Sequence, residues 1–245
     1  MNIKSGKFVF SISLFIVIGL LFVVYLWLQG MFIPNDGRAE QYPIKGVDVS
    51  SYQGKIDWPI LQKELQFAFI KATEGSGFVD PYFKENWNEA NETKLRVGAY
   101  HFFSFDSSGA TQADNFIKAV PVKNTSLPPV IDVEFYADKE KNPPDPANVK
   151  KELQAMIGKL KAHYGKRVIL YTTLEAYELY LQNDFEQCDI WIRDVFSKPN
   201  LPDQREWTFW QYTDRETLEG YLGEEKFIDV NVFQGSKREF ELYGK

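Results

Sequence analysis

The chain has 245 residues, with 28 Lys and Arg against 34 Asp and Glu, a net charge of −6. That balance excludes a general attraction to nucleic acid or to an anionic lipid surface. One cysteine, Cys188, rules out an intrachain disulfide, and two distant histidines with no HExxH or CxxC spacing offer no His/Cys metal site, so neither metal nor cofactor is expected.

In chain order, residues 1–7 hold Lys4 and Lys7 and no acid, and residues 8–28, "FVFSISLFIVIGLLFVVYLWL", hold no charge and no proline. A run of that length and uniform apolarity predicts one transmembrane helix. With the lysines before it and no Lys or Arg after it until Arg38, residues 1–7 are expected to be cytoplasmic and the remainder outside the cell membrane. The run exceeds a signal-peptide core, and "LWLQGMF" offers no small-x-small cleavage site, so a retained signal anchor is favoured over a cleaved signal, which would release the domain as a secreted protein. Residues 29–43, "QGMFIPNDGRAEQYP", read as a linker, and residues 44–245 as one domain. No acid precedes residue 31, so the exported part carries 26 basic against 34 acidic residues, a net of −8. A monomer is expected, and Cys188 in "QCDIWIR" reads as buried and inert.

Strands are predicted near 44–49, 67–72, 95–102, 128–134, 167–172, 188–192, 207–212 and 227–232. Helical segments follow the first five: "WPILQKEL", "PYFKENWNEANE", "GATQADNFIKAV", "ANVKKELQAMIGKLKAHYG" and "TLEAYELYLQ". Alternation of this kind predicts an α/β fold with a parallel sheet. Eight strands in this length suggest a closed TIM-like barrel whose last third is short of helices, with an open doubly wound sheet as the alternative.

The stretch "PPVIDVEFYAD", residues 128–138, sets two acids in an apolar run. Side chains alternate along a strand, so Asp132 and Glu134 share a face, with Cα atoms roughly 6.5–7 Å apart. Burying them is costly unless they have a purpose. Asp48 ends the first strand and Asp229 lies in the last. In a closed barrel the first and last strands are neighbours, and four carboxylates then converge on one mouth. Crowding should raise at least one pKa and leave a protonated acid beside an ionised partner, the equipment for splitting a glycosidic bond. Phe, Trp and Tyr make up 16% of the chain. Tyr52, Tyr100, Tyr171, Trp191, Trp210 and Tyr212 fall at or near strand ends, where they could stack on sugar faces or simply pack the core.

The segments "KGVDVSSYQGKIDW", "FAFIKATEG", "RVGAYHFF", "PPVIDVEF", "VILYT", "DIWI", "FWQYT" and "IDVNVF" occur in that order over 44–233. Together they resemble the family-25 glycoside hydrolases, the Chalaropsis-type lysozymes. The resemblance implies a modified (β/α)5β3 barrel. It implies hydrolysis of the β-1,4 bond between N-acetylmuramic acid and N-acetylglucosamine, with peptidoglycan glycan strands as the partner. It further implies Glu134 as general acid, Asp132 as its partner, and Asp48 and Asp229 in the same pocket. Glu74, Tyr100, His101, Tyr171, Trp210 and Gln211 match segments bordering the family's groove, and Lys71 matches another such position or pairs with a barrel acid. One departure is "WIRDVF": Arg193 and Asp194 stand where the family has a small residue and an aromatic.

Competing readings are a wall-glycan binding module without catalysis, a chitin-directed hydrolase, and a structural role in which the anchor is the main function. Strand spacing leaves inversion, simple retention and attack by the substrate's own 2-acetamido group open. The last is favoured for an N-acetylated sugar, and a tethered enzyme of this kind points to local cell-wall remodelling.

Overall fold

The structure is a computed structural model that describes residues 3–245, with side chains from Ile12 onward. Helix α1 (Ile3–Leu28) leads the chain. Residues 1 and 2 of the expected cytoplasmic tail lie outside the described residues, and the expected span is described without side chains over residues 8–11. Among the described residues, no helix is long and apolar enough to cross a membrane.

Within residues 29–43, expected as a linker, Asn35, Ala39 and Tyr42 are buried while most of the other residues are exposed. A short turn of helix, α2 (Asp36–Ala39), sits in this segment. Asn35 before it is fully buried and donates to the backbone carbonyls of Asp194 and Tyr212 at 2.9 and 3.2 Å. Tyr42 after it packs edge-on against Trp207 and Trp210.

The eight predicted strands all form, within one to four residues of their expected limits. They are β1 (Lys45–Val49), β2 (Phe67–Glu74), β4 (Arg96–Phe102), β5 (Val130–Val133), β6 (Ile169–Thr173), β7 (Asp189–Arg193), β8 (Phe209–Glu216) and β9 (Ile228–Phe233), with a two-residue strand, β3 (Phe78–Val79), folded back on β2. The sheet runs β1-β9-β8-β7-β6-β5-β4-β2, and β1 also pairs with β2, which closes the barrel. The expected parallel sheet holds through β8, but β9 is antiparallel to both neighbours. The physical reason is the connection. Residues 217–227 join β8 to β9 without a helix, too short a path for the crossover that parallel neighbours need.

Five helices cover the barrel: α3 (Trp58–Leu61), α4 (Phe83–Asn91), α5 (Gly109–Ala119), α6 (Pro146–Tyr164) and α7 (Leu174–Ala176), which runs on into a π turn over Tyr177–Leu181. Helix α6 has strong punctuation. Asp145 caps its first turn, Pro146 opens it where a missing N–H costs nothing, and Gly165 ends it in the left-handed region at φ 65°. The sequence reading did not include α8 (Lys237–Leu242), although its signal is present: Ser236 and Glu239 form a capping box. Phe240 of α8 plugs the lower end of the barrel against Phe67 and Phe233, and Arg96 donates to the carbonyls of Phe240 and Tyr243.

Alternation along the strands divides the core in two. Phe67, Phe69, Val130, Ile169, Tyr171, Trp191, Phe209 and Phe233 fill the barrel, while Ala68, Ile70, Val97, Ile131, Leu170, Ile190 and Trp210 face the helices. The interior is built on rings: Phe69 stacks on Trp191 at 4.7 Å and Tyr171 meets Trp191 edge-on at 4.7 Å. Gly46 and Gly98 make room for them, since a Cβ at either would run into the ring of Phe67 or Phe69. Cys188 is buried.

Candidate active site

The upper end of the barrel interior is polar because the inward positions there are acids. On β5, Val130 points in below Asp132, and Glu134 follows two residues on. On β1, Asp48 points in above Gly46. On β9, Asp229 comes near the start of the strand. A parallel strand brings its C-terminal end to the mouth; β9 runs the other way, so its beginning arrives there instead. The pairing sets Asp48 directly opposite Asp229. All four acids line one groove of about 420 Å³, within the range of ligand sites.

Two neighbours orient Asp48. Asn231 Nδ2 donates to Asp48 Oδ1 at 2.6 Å, and Trp191 Nε1 donates to Asn231 Oδ1 at 2.7 Å. Asn231 was missed in the sequence, although its signal lies in "IDVNVF": two residues beyond Asp229, it must share that face. Burial pushes the Asp48 carboxyl up to about 7, against the hydrogen bond from Asn231 that favours its ionised form. Burial, then the charge of Asp48, drives Asp229 well above the usual carboxylate range. Burial and their mutual repulsion thus both favour a protonated carboxyl in this pair.

Asp132 is raised well above the ordinary carboxylate range by burial first and by Glu134 second. Its Oδ1 is buried with no hydrogen-bond partner. Burial also raises Glu134, while Arg193 and Lys71 pull it back. Lys71 itself bonds Glu74 Oε2 at 2.8 Å rather than a barrel acid. Arg193 Nη2 bonds Asp214 Oδ2 at 2.7 Å. The unusual residue after "WI" is thus a cation tied into the wall beside the acids.

The structure brings most of the expected aromatic contacts to this groove. Tyr52 stands on the rim at 60% exposure, on a single turn (Ser51–Gln53) fixed by a capping box of Ser50 and Gln53. Tyr100, Tyr171 and Trp191 line the wall. Gln211 is buried behind it and accepts the Tyr171 hydroxyl at 2.6 Å.

Three expected positions lie elsewhere. His101 is fully buried on the outward side of β4, between Thr73 Oγ1 at 2.7 Å and Gln112 Oε1 at 2.9 Å, and burial lowers its pKa to about 4. Trp210 also points outward, packed on Tyr42, Trp207 and Tyr212, with Nε1 donating to the Asp194 carbonyl. Both follow from alternation: each is one residue away from an inward neighbour, Tyr100 or Gln211. Glu74 lies beyond the groove lining, paired with Lys71. The groove also takes in Phe102, Asp214, Arg215, Glu225 and Phe227, which the sequence reading did not select. The last four lie at or after the irregular end of β8, where no periodicity marks them. Among the described residues, no group of His, Cys, Asp and Glu is arranged to hold a metal ion.

This arrangement can donate a proton from one carboxyl, accept a hydrogen bond on another, and shield a developing positive charge with the rest. The pattern described as "Glycosyl hydrolases family 25" matches residues 47–221. A solved family 25 glycosyl hydrolase from Bacillus anthracis is 63% identical, with a TM-score of 0.81 over 84% of this chain and 95% of that one. The Escherichia coli K12 protein YegX is 35% identical over 82% of this chain and 74% of its own length. Lysozyme M1 of Streptomyces globisporus is 30% identical over 82% of this chain and 71% of its own.

Proposed function

The chain belongs to the family 25 glycosyl hydrolases, and from that premise we propose that it is a lysozyme, cleaving the β-1,4 bond between N-acetylmuramic acid and N-acetylglucosamine in peptidoglycan. The observation that carries this reading is the convergence of Asp48, Asp132, Glu134 and Asp229 in one groove walled by Tyr52, Tyr100, Tyr171 and Trp191. Similarity to a lysozyme along most of both chains supports the substrate.

Glu134, whose protonated form burial favours, gives its proton to the leaving glycosidic oxygen. The 2-acetamido oxygen of the muramyl unit attacks the anomeric carbon, the substrate-assisted route. Asp132 accepts the acetamido N–H. That bond supplies what Asp132 Oδ1 lacks in the free protein and favours ionised Asp132 when substrate is bound. Glu134, now a carboxylate, draws a proton from water, which opens the cyclic intermediate. Asp48 and Asp229 hold the floor of the site and share their proton. Glu134→Gln keeps the shape and removes the proton; turnover of purified peptidoglycan should fall by about 10²–10⁴-fold with the fold intact. Near-normal activity would reject the assignment.

The same reading takes residues 8–28 as a single-pass anchor, with residues 1–7 in the cytoplasm and a monomeric barrel outside, acting in local wall remodelling. The uncharged run supports it, as does the outward exposure of apolar side chains such as Phe15 and Leu21 on α1. In cells, the full chain should stay with membranes through an alkaline carbonate wash and lose that retention when residues 1–30 are deleted. Release of the full chain by the wash would reject the anchor.

A further inference from the structure

Arg215 stands in the groove wall, yet its guanidinium makes no hydrogen bond among the described residues. The nearest acid atom to its Nε is Asp214 Oδ1 at 3.8 Å, and both atoms are buried without a hydrogen-bond partner. Its place is set by rings. The guanidinium carbon lies 4.4 Å from the ring centre of Trp27, at the end of α1, and 5.3 Å from that of Phe227 in the β8–β9 connection. Stacking of this kind covers the faces of a guanidinium and leaves its in-plane N–H groups free. Trp27 is itself held against the barrel by Phe196 at 5.7 Å, and Lys226 Nζ reaches the Gln29 carbonyl at 3.2 Å.

The groove around Arg215 is acidic, with Asp48, Asp132, Glu134, Asp214, Glu225 and Asp229 on its walls. Lys71, the other lining cation, is engaged by Glu74. A free planar fork in such a wall suits a carboxylate or carbonyl that the acids would otherwise repel or leave unpaired. On the proposed substrate, one group answers: the 3-O-lactyl arm, which ends in a carboxylate when the stem peptide has been removed and in an amide carbonyl when it is present. It is also the substituent that distinguishes muramic acid from glucosamine.

We infer that Arg215 is a substrate-binding residue that reads the lactyl arm of the muramyl unit, and that Trp27, from outside the barrel, is the positioning residue that aims it. The inference deepens the lysozyme reading and rests on it for the identity of the ligand.

Binding separates the two, because it needs no turnover. The full chain in detergent micelles, carrying Glu134→Gln so that nothing is cut, is titrated with a peptide-stripped muramyl tetrasaccharide and with chitotetraose, which lacks the lactyl arm. Adding Arg215→Met should weaken the muramyl ligand about tenfold, the loss of one charge-assisted contact, and chitotetraose less than about twofold. Arg215→Lys, which keeps the charge without the fork, should fall between. Trp27→Ala should weaken the same ligand by about threefold, and Trp27→Phe should restore it. Equal losses on both ligands would make Arg215 a structural residue and overturn the inference, as would no loss on either or no binding of the muramyl ligand. Turnover by the chain with Glu134 intact is measured separately. If it is absent while the ligand difference persists, the hydrolase reading fails and the lactyl contact stands. If turnover is normal and the difference is missing, the lactyl contact fails alone.

Discussion

Asp48 and Asp229 face each other at directly opposed positions of the antiparallel β1–β9 pair, which joins the first and last strands of the barrel. Two carboxyls at that separation cannot both ionise at low cost. Burial holds Asp48 up to about 7, and Asp229 is raised well above the usual carboxylate range by burial and by Asp48.

The consequence is a stability that falls with rising pH. In the unfolded chain Asp48 loses its proton near the ordinary value of 3.8; in the folded chain it keeps it to about 7. Across that window the folded state binds the extra proton, so this group's contribution is full below about 3.8 and is lost as pH approaches and passes 7. Asp48→Asn can still accept from Asn231 and no longer ionises. Its melting temperature relative to the unsubstituted chain should therefore rise between pH 4.5 and pH 8, by about 2–4 °C for each kcal/mol recovered. A difference that is the same at both pH values would contradict the shared proton.

Glu134 is raised by burial but held back by Arg193 and Lys71. Removing a cation favours the protonated acid, so Arg193→Met should move the alkaline limb of kcat/KM to higher pH, by about half a unit or more. Arg193→Lys should leave that limb near its original place. A limb that does not move in Arg193→Met, or moves down, would show that Arg193 does not act on the acid.

Substrate-assisted attack gives two displacements at the anomeric carbon and hence retention. Proton NMR during early turnover should show the β-anomer of the new reducing end first. An α-anomer appearing first would exclude acetamido participation, and Asp132 would then act on water.

The outward and inward aromatics should separate in their effects. Trp210 is fully buried under the linker segment and outside the groove, so Trp210→Ala should cost about 3–5 kcal/mol of stability. In whatever folded fraction remains, KM should change little. Tyr52 is exposed on the rim, so Tyr52→Ala should raise KM with a melting temperature close to that of the unsubstituted chain. The reverse pattern, a KM effect at Trp210 and a stability effect at Tyr52, would mean that the face assignment of β8 is wrong.

Much of this was legible in the sequence because strand alternation is strict. The two-residue spacing of Asp132 and Glu134 fixed their common face, and the strand order of the motifs brought Asp48 and Asp229 together. The same rule, applied one residue at a time, would have excluded His101 and Trp210 from the groove and admitted Asn231. What the sequence did not disclose depends on chain reversal and on contacts distant along the chain. Nothing local says that β9 runs antiparallel; that follows from the short 217–227 connection. Nothing periodic marks Arg215 or Phe227, which reach the groove from an irregular strand end. Asn35 and Tyr42, in a stretch with the composition of a linker, are buried by partners more than 150 residues away.

The most direct test is to incubate the full chain in detergent with purified peptidoglycan, reduce the products with borohydride and identify the new ends by mass spectrometry. A lysozyme acting through Glu134 gives reduced muramic acid ends that vanish in Glu134→Gln. Reduced glucosamine ends, or no new ends from a folded protein, would contradict the proposed reaction.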